Sequence, residues 1–503
     1  MNWDAATTIA GDFAQDWTTE DGPGGAIVLF DDQGIRAQVA GGLADLAHDL
    51  PFRPETTIRY ASISKHFLTS LLLTGTPVKF TDPLGRHLIL PEAAGKVTVG
   101  RALDMTGGLP DMVQTLWLLG VPPSTTLNRH RLMDATCVLS RLNFEPGSEI
   151  SYSNTGYRLV QAALAAKGID YPELLRERLF RPLGLGICLP EDETEPVPGL
   201  ATGYWHSQSG WRSGRYGLHI SASGGLAGSA VDLAVWGQAL LGDQLPATGL
   251  LSRLTAIRHL NDGTSTNYGL GLARTRLGGR TLFGHGGSLP GYKTHLLLDP
   301  TARAGVVVVS NREDTVAAGL AQRVMAALHG ITLPSPATQL LPKGLFVADE
   351  GPFWLQHHAG IVTYLGATET LYDSGEGWAA NNSAALPMHL TAQGCDIVGE
   401  IGHVVRHFHP VPPRPPANPD WAGRYTLRLP GHTVSLEVEV RQGMARLFVP
   451  PLGQALDLRP LDDRRAIALL ADAQASLQVC LCFEAGGVAL ATQRSRGLRF
   501  SAD

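Results

Sequence analysis

A serine and a lysine three residues apart, Ser62 and Lys65, are the first groups in the sequence that could perform nucleophilic chemistry. Positions i and i+3 share one face of a helix, so the hydroxyl and the amine can meet. A helix N-terminus favours negative charge on Ser62, and a partly desolvated amine loses basicity and can accept a proton. The same spacing also occurs where a serine N-cap stands beside a solvated lysine, so the pair needs support from other residues.

A second group, Tyr152-Ser153-Asn154, stands just before a predicted helix. A phenol near a cation can relay protons, and an amide can orient both a lysine and a substrate carbonyl. A core tyrosine followed by an asparagine N-cap would give the same pattern. Alone, the motif therefore leaves both interpretations open.

A third group, His285-Gly286-Gly287-Ser288, ends a predicted strand. Two glycines let a substrate backbone approach closely, and the N–H groups that follow them can donate to an oxyanion. Alone, it is a glycine-rich strand end. The chemistry that the three groups would perform together is acyl transfer through a serine nucleophile.

The elements that must position these groups are strands at both ends of the first 330 residues, with helices between them. Apolar spacing predicts an amphipathic helix from Ser62 that ends at Gly75 and Pro77, and a second helix from Asn154 that ends before Gly168. The predicted strands form a hairpin and a later antiparallel meander: Ala26–Phe30, Ile35–Val39, Thr281–Phe283, Thr294–Leu298 and Gly305–Ser310. This order predicts an α+β sheet assembled from both ends of the segment.

Proline-rich stretches divide the rest of the chain. Residues 330–342 and 410–419 are predicted linkers, which gives domains at 1–331, 340–412 and 418–503. The last two contain short strands and many turns. His432–Val440 alternates between apolar and polar residues, for example. Two small β-rich domains, barrels or sandwiches, are predicted.

Composition excludes several classes. The 503 residues carry a formal net charge of −6 and no basic stripe, which argues against a nucleic-acid binder. No apolar run approaches the ~20 residues of a membrane span, and the N-terminal residues lack the features of a secretory signal, so we expect a cytoplasmic protein. Five cysteines are too few for a disulfide framework, and Cys480 and Cys482 are expected to be buried free thiols. No cluster has metal-ligand spacing.

In combination, the three groups resemble the serine β-lactamase and penicillin-recognising superfamily, whose motifs are S-x-x-K, S-D-N or Y-x-N, and K-T-G or H-x-G. Supporting segments are Thr81–Leu84, Ser223–Leu226 and Asp104–Pro110. In the last of these, the usual histidine and serine of the family loop are replaced. The resemblance covers residues 20–330 and implies an N-terminal α+β serine β-lactamase-like domain.

The Y-x-N and H-x-G pairing, the length and the two β-rich domains look most like the D-stereospecific aminopeptidases of peptidase family S12. This resemblance implies that two antiparallel β-barrel domains follow the catalytic domain. A loop of the last barrel, about Ala468–Val479 here, would reach the cleft and bind the substrate amine through Asp472. The implied substrate is a small D-peptide or D-amino acid amide, with inhibition by β-lactams, no cofactor, no metal, no nucleic-acid or membrane partner, and a homodimer.

The resemblance also implies a role for each motif residue. Ser62 would form the acyl-enzyme, while Lys65 and Tyr152 share the proton transfers, with the identity of the base left open. Asn154 would orient the lysine and the acyl amide, and His285 would assist binding or the proton network. The N–H groups of Ser62 and Ser288, beside Gly287, would form the oxyanion hole.

Other functions remain open for the same fold. An esterase, a β-lactamase or a DD-carboxypeptidase would use the same nucleophile. The predicted lack of a secretory signal argues against periplasmic enzymes, and the additional domains argue against a minimal β-lactamase. A non-catalytic penicillin-binding scaffold is the alternative from another class. The complete set of Ser62, Lys65 and Tyr152 argues against it.

Overall fold

The computed structural model describes residues 1–218, 221–413, 415–450 and 453–503. Its elements fall into three parts, which we call the first, second and third parts. The first part runs to the end of helix α11, the second consists of β15 to β23, and the third of β24 to β31. All the α-helices of the described residues belong to the first part. They are α1 (Trp3–Thr19), α2 (Ser64–Leu73), α3 (Glu92–Lys96), α4 (Val99–Leu103), α5 (Met112–Leu118), α6 (Arg129–Asp134), α7 (Thr155–Ala165), α8 (Tyr171–Leu175), α9 (Ala230–Leu241), α10 (Leu250–Leu254) and α11 (Ala317–His329).

The strands of the first part are mostly short, apart from those of its main sheet. They are β1 (Gly25–Asp31), β2 (Gly34–Gly41), β3 (Leu43–Asp45), β4 (Leu50–Pro51), β5 (Ile58–Arg59), β6 (Tyr204–Ser207), β7 (Gly210–Ser213), β8 (Ala227–Gly228), β9 (Arg258–His259), β10 (Ser265–Thr266), β11 (Ala273–Leu277), β12 (Arg280–Leu289), β13 (Tyr292–Asp299) and β14 (Ala304–Ser310). Short 3₁₀ turns include Ala61–Ile63.

The main sheet of the first part has the strand order β11-β12-β13-β14-β1-β2, with antiparallel neighbours. Strand β1 is buried along its whole length because both of its faces are covered. Val28 packs into the core that also contains residues of α2 and α7, whereas Ile27 and Leu29 pack against α1 and α11. The prediction of one sheet built from both ends of this segment is confirmed.

Helix α2 differs from its prediction in two respects. It begins at Ser64, and Ser62 lies in the preceding 3₁₀ turn. The helix is buried from Ser64 to Leu72, so it is not amphipathic in the folded protein. Several of its polar side chains find partners inside the core, although the Ser70 hydroxyl does not. Trp236, for example, donates from its indole nitrogen to His66 at 2.8 Å, which removes the desolvation cost that would otherwise favour a solvated polar face.

The second part is one antiparallel sheet in the order β18-β17-β16-β15-β23-β22-β21-β20-β19. Its edge strands β18 and β19 are joined by the single residue Leu371, so the sheet is nearly closed. The strands are β15 (Gly344–Ala348), β16 (Trp354–His358), β17 (Ile361–Tyr364), β18 (Ala367–Thr370), β19 (Tyr372–Gly375), β20 (Trp378–Ala380), β21 (Met388–Gln393), β22 (Asp396–Ile401) and β23 (Val404–Pro410).

The third part is a closed antiparallel barrel in chain order, β24 to β31. Its strands are β24 (Gly423–Leu429), β25 (His432–Arg441), β26 (Met444–Val449), β27 (Gln454–Pro460), β28 (Arg465–Ala471), β29 (Ser476–Glu484), β30 (Gly487–Ala491) and β31 (Leu498–Ala502). Together with the second part, it confirms the predicted fold class. Cys480 and Cys482 lie on β29 as free thiols.

The predicted domain boundaries stay predictions. Helix α11 ends at His329 and β15 begins at Gly344, while β23 ends at Pro410 and a 3₁₀ turn begins at Pro419. The second predicted linker includes Arg414, which lies outside the described residues. Among the residues that the structure describes, no helix is both long and apolar enough to cross a bilayer.

Candidate active site

The Ser62 hydroxyl and the Lys65 amine lie 3.0 Å apart, because the 3₁₀ turn and the first turn of α2 bring them onto one face. Ala61, which precedes the serine, has a φ angle of +52°. This left-handed conformation costs a non-glycine residue about 1–2 kcal/mol. The backbone thus carries local strain at the residue before the candidate nucleophile.

The Lys65 amine is fully enclosed and has three hydrogen-bond partners. Besides Ser62, they are the side-chain oxygen of Asn154 at 2.7 Å and the backbone oxygen of Ser223 at 2.5 Å. The last two can only accept, whereas a hydroxyl can also donate. The amine can donate to all three oxygens, and in its uncharged form its two N–H groups match the two carbonyl oxygens while its lone pair can accept from Ser62.

The electrostatic surroundings agree with an uncharged Lys65. Burial is the main cause that holds the pKa of Lys65 well below its ordinary value. The carboxylate of Asp111 opposes this shift, and the positive charges of Arg494 and Arg158 add to it. A lysine in this environment can serve as a proton acceptor near neutral pH.

Tyr152 completes the group around the nucleophile. Its hydroxyl is hydrogen-bonded to Ser62, and its ring centre lies 4.8 Å from the Lys65 amine. Burial raises the pKa of the Tyr152 phenol above its ordinary value, although the Ser62 hydrogen bond and the charge of Arg494 oppose the rise. The phenol therefore keeps its proton in the resting site, and it can pass a proton along.

Asn154 is held in place by Asp111, which the sequence did not identify. The backbone N–H and the side-chain NH₂ of Asn154 both donate to one Asp111 oxygen at 2.8 Å. The other oxygen of Asp111 accepts from the N–H groups of Val113 and Gln114 at the start of α5. This arrangement fixes the amide so that its oxygen faces Lys65.

His285 lies beside Tyr152, with 6.1 Å between the ring centres. Its Nδ1 donates to the Gly286 carbonyl at 2.6 Å, and its Nε2 lies 2.9 Å from the Tyr268 hydroxyl. Burial is the main cause that lowers the pKa of His285 to about 3. The imidazole is therefore neutral, and it contacts the proton-transfer group through its ring.

Gly287 allows strand β12 to lie against the 3₁₀ turn that carries Ser62. A Cβ atom at this position would lie 2.1 Å from the Tyr60 carbonyl and 2.2 Å from the Thr294 hydroxyl, so no larger residue fits. The next residue, Ser288, is exposed and lines the cleft in front of Ser62. Strand β12 thus presents backbone to this cleft.

The cleft has a volume of about 370 Å³ and is lined by residues of both the first and the third parts. Ser62, Asn154 and Ser288 line it from the first part, and Arg494 and the turn 474–477 from the third. A larger cavity, of about 970 Å³, lies between the proline-rich linker and the β25–β27 strands. It contains none of the candidate residues, so we assign the chemistry to the smaller cleft.

Asp472 begins the turn between β28 and β29, within the predicted loop. One of its carboxylate oxygens accepts from the N–H groups of Gln474 and Ala475, and the other accepts from the Ser124 hydroxyl at 3.2 Å. The carboxylate stabilises the turn, and the residues that line the cleft are 474–477. The remainder of the predicted loop is strand, in β28 and β29.

Arg494 belongs to a second segment of the third part that reaches the site, residues 492–497 between β30 and β31. Asp111 and Asn143 donate to the Arg494 carbonyl, and the Ser495 hydroxyl lies 2.7 Å from that of Thr115. No sequence motif marks this segment. Its role depends on contacts between residues more than 300 positions apart.

Glu369 approaches the site from the second part. A second cavity, of about 560 Å³, is lined by Tyr152, His285 and Glu369. Burial raises the pKa of Glu369, while hydrogen bonds from Ser383 and Asn381 oppose the rise. Sequence reasoning did not identify this carboxyl group either, since Glu369 lies on the edge strand β18 and its neighbours in the sequence form no recognisable motif.

Metal-binding residues do not converge at this site. In the described ranges, the side chains that come close enough to hold an ion are Asp349, His407 and His409 of the second part. None of them lines the cleft or the second cavity.

Comparison with known proteins agrees with this geometry. The family model described as Beta-lactamase matches residues 9–331. The chain is 28% identical to a D-aminopeptidase of Gluconobacter oxydans, over 75% of this chain and 74% of the relative. It is also 28% identical to a D-aminopeptidase of Brucella anthropi, over 75% of this chain and 70% of that one.

Solved structures share the fold. The octameric penicillin-binding protein homologue from Pyrococcus abyssi has a TM-score of 0.57 at 17% identity, and the match covers 99% of this chain and 100% of that one. The D-amino acid amidase from Ochrobactrum anthropi SV3, complexed with L-phenylalanine amide, has a TM-score of 0.54 at 23% identity, over 65% of this chain and 98% of that one. The resemblance predicted from the motifs is confirmed, and the chain belongs to the beta-lactamase family.

Proposed function

We propose that this protein is a serine hydrolase that releases N-terminal D-amino acids from peptides and amides through an acyl-enzyme. The observation that carries this proposal is the hydrogen-bonded group of Ser62, Lys65 and Tyr152, in which a buried amine of lowered pKa lies 3.0 Å from the serine hydroxyl. The D-aminopeptidase relatives, which match over three quarters of the chain, support the substrate class.

In the proposed reaction, the neutral Lys65 amine takes the hydroxyl proton as Ser62 attacks the substrate carbonyl. The oxyanion is stabilised by the backbone N–H groups of Ser62 and Ser288. Ser62 lies in the first turn of a helix, where the N–H has no intrahelical acceptor. The proton then passes to the leaving amine. Water next attacks the acyl-enzyme carbonyl, its proton returns to the Ser62 oxygen through the same groups, and the D-amino acid is released.

Lys65 is the better candidate for the base in the resting enzyme. The pKa of Lys65 is lowered and that of Tyr152 is raised, so the amine is ready to accept a proton and the phenol is not. The three groups share hydrogen bonds, so they titrate together. Tyr152 then acts as the relay between Lys65 and the leaving group.

The protonated amine of the substrate needs a carboxylate. We keep Asp472 as the first candidate, since its turn lines the cleft, and add Glu369, which shares a cavity with Tyr152 and His285. The Asp472 oxygens already accept three hydrogen bonds. The two carboxylates lie in different parts of the chain, so single substitutions distinguish them.

A second candidate function is supported by the positive charge of Arg494 in the cleft. A guanidinium group favours substrates that carry a carboxylate. A DD-carboxypeptidase or a β-lactamase has such substrates, whereas an amino acid amide lacks this group. An esterase would use the same nucleophile but has no need of Arg494.

The test is a panel of substrates with matched pairs: D- and L-alanine p-nitroanilide, D-alanine p-nitroanilide with a free or an acetylated amine, and D-alanyl-D-alanine with a free or an amidated carboxylate. A chromogenic cephalosporin and a p-nitrophenyl ester complete the panel. We expect the free-amine D-anilide to have the highest kcat/KM, and slow Ser62-dependent acylation by penicillin. The second candidate would replace this proposal if the cephalosporin were hydrolysed faster than the D-anilide. The same would hold if D-alanyl-D-alanine with a free carboxylate were the faster substrate and its amine made no difference.

Two further predictions concern the setting of the enzyme. The cytoplasmic location and the homodimer are expectations from sequence and resemblance. The octameric state of the Pyrococcus abyssi protein belongs to that protein alone. Cell fractionation and light scattering of the purified chain would test the two predictions.

A further inference from the structure

Four side chains of the second part converge on one face of three neighbouring strands. Strands β15, β23 and β22 lie side by side. His407 and His409 stand two positions apart on β23 and therefore point to the same face. Asp349 follows β15, and Asp396 opens β22. The sequence did not predict this cluster, since its members are spread over 60 residues without a metal-ligand spacing.

Asp396 fixes the orientation of both imidazoles. One of its oxygens lies 2.9 Å from His407 Nε2 and 3.0 Å from His409 Nδ1. A carboxylate only accepts, so each of these nitrogens carries the proton. The other two ring nitrogens, His407 Nδ1 and His409 Nε2, both face Asp349, at 3.9 and 2.7 Å. One ring nitrogen of each histidine and an Asp349 oxygen lie within 4.8 Å of one another.

We propose that His407, His409 and Asp349 bind a Zn²⁺ ion, and that Asp396 is the carboxylate that orients both histidines. Two imidazole nitrogens and a carboxylate oxygen are a donor set that zinc uses in proteins. A carboxylate behind a ligating histidine is the usual arrangement at such sites. Each imidazole would bind the ion through the ring nitrogen that faces Asp349, a proton held between His409 Nε2 and Asp349 would pass to solvent, and the fourth position is left for water.

The position of the cluster indicates a structural role. Asp349 and His409 are exposed, with side-chain exposures of 59% and 45%, so an ion can enter from solvent. The ion would join β23 to the segment that follows β15 by bonds stronger than those of a surface ion pair, and β22 would be linked to it through the hydrogen bonds of Asp396. We therefore expect the metal-free chain to fold and to keep its hydrolase activity.

The test uses the full chain, treated with EDTA and then freed of chelator. We expect calorimetric titration with ZnCl₂ to give one ion per chain, and CoCl₂ to give the intense visible absorption of a four-coordinate site. Asp396→Asn should weaken zinc binding about 10- to 100-fold. The double variant His407→Ala/His409→Ala should lose it. The matched control is His358→Ala, which removes an exposed histidine from β16 of the same part and should leave binding unchanged.

Circular dichroism and hydrolase activity of each variant check that the chain is folded. Saturable zinc binding that survives in the double variant would overturn the proposal, as would its absence in the folded wild type. Mg²⁺ binding as tight as that of Zn²⁺ would also overturn it, because a site with two imidazoles should discriminate against a hard cation.

Discussion

The guanidinium carbon of Arg494 lies 4.6 Å from the centre of the Tyr152 ring, although the two residues belong to different parts of the protein. This is within the range of a cation–π interaction. Two hydrogen bonds to the Arg494 carbonyl, from Asp111 and from Asn143, hold its backbone against the first part. The third part therefore supplies a fixed positive charge to the proton-transfer group.

The nucleophile can be tested by a pair of serine substitutions. Ser62→Ala should abolish hydrolysis and penicillin acylation, because it removes the attacking oxygen, and should leave the circular dichroism spectrum unchanged. The matched control is Ser70→Ala on the same helix, where the buried hydroxyl has no hydrogen-bond partner. We expect Ser70→Ala to keep near wild-type kcat/KM. A folded Ser62→Ala enzyme with wild-type turnover would contradict the assignment.

Arg494 can be tested through the pH profile. Since its charge lowers the pKa of Lys65, Arg494→Met should raise that pKa and move the acid limb of kcat/KM to higher pH. Loss of the ring contact should also lower the maximal kcat/KM about 2- to 30-fold, as expected for 0.5–2 kcal/mol. Arg499→Met, on the exposed surface of β31, is the control. An unshifted acid limb in Arg494→Met would show that the charge does not act on Lys65.

The amine site can be located with two isosteric substitutions. A charge-assisted hydrogen bond contributes about 1.5–3 kcal/mol. The substitution that removes the partner of the amine, Asp472→Asn or Glu369→Gln, should therefore raise the KM of free-amine D-substrates by about 10- to 150-fold. KM for acetylated analogues should not change. Asparagine can still cap the turn, so Asp472→Asn tests the charge itself. If neither variant changes the discrimination, the amine is bound elsewhere.

Buried histidines should make the protein sensitive to acid. Burial lowers the pKa values of His66 and His285 to about 3, against an ordinary value near 6.5. Both are neutral in the folded protein, and both take up a proton on unfolding below pH 6.5. The free energy of unfolding should therefore fall from pH 6.5 towards pH 3, with up to about 3 kcal/mol per pH unit from these two groups.

Urea unfolding at a series of pH values measures this slope. His66→Gln should reduce it by about 1.4 kcal/mol per pH unit, the share of one proton. The control, His358→Gln, changes an exposed histidine and should have the wild-type slope. An identical slope in His66→Gln would mean that His66 is already protonated in the folded state.

The proximity of the motif residues around Ser62 was predictable from their spacing and from the resemblance to known motifs. Ser62 and Lys65 are linked by helical spacing, and the resemblance to known motifs added Tyr152 and Asn154. The main sheet was predictable because its strands are apolar runs bounded by turns. The complete burial of α2 was not predictable, since its sequence alternates apolar and polar residues at helical spacing, and such a pattern predicts one solvated face. Only tertiary partners such as Trp236 reveal that this face is covered.

The groups that the sequence did not reveal share one property. Asp111, Glu369 and Arg494 each reach the site through contacts with residues distant in the chain. The one local pattern among them, Asp111 as the N-cap of α5, indicates only where that helix begins. The predicted loop at Asp472 shows the same limit. Its turn does line the cleft, but only the coordinates reveal that the carboxylate itself is bonded to the turn.

The contact of Arg494 with Tyr152 also has a consequence for the chain while it is being synthesised on the ribosome. Ser62, Lys65, Tyr152 and His285 have all been added to the chain some two hundred residues before Arg494 is made. At a synthesis rate of about 5–20 residues per second, that interval is about 10–40 s. During this interval, the nascent chain contains Ser62 but lacks the cleft residues and the positive charge that the third part contributes. A ribosome-bound chain should thus be a slow and unselective hydrolase, and selectivity should appear when the final hairpin closes.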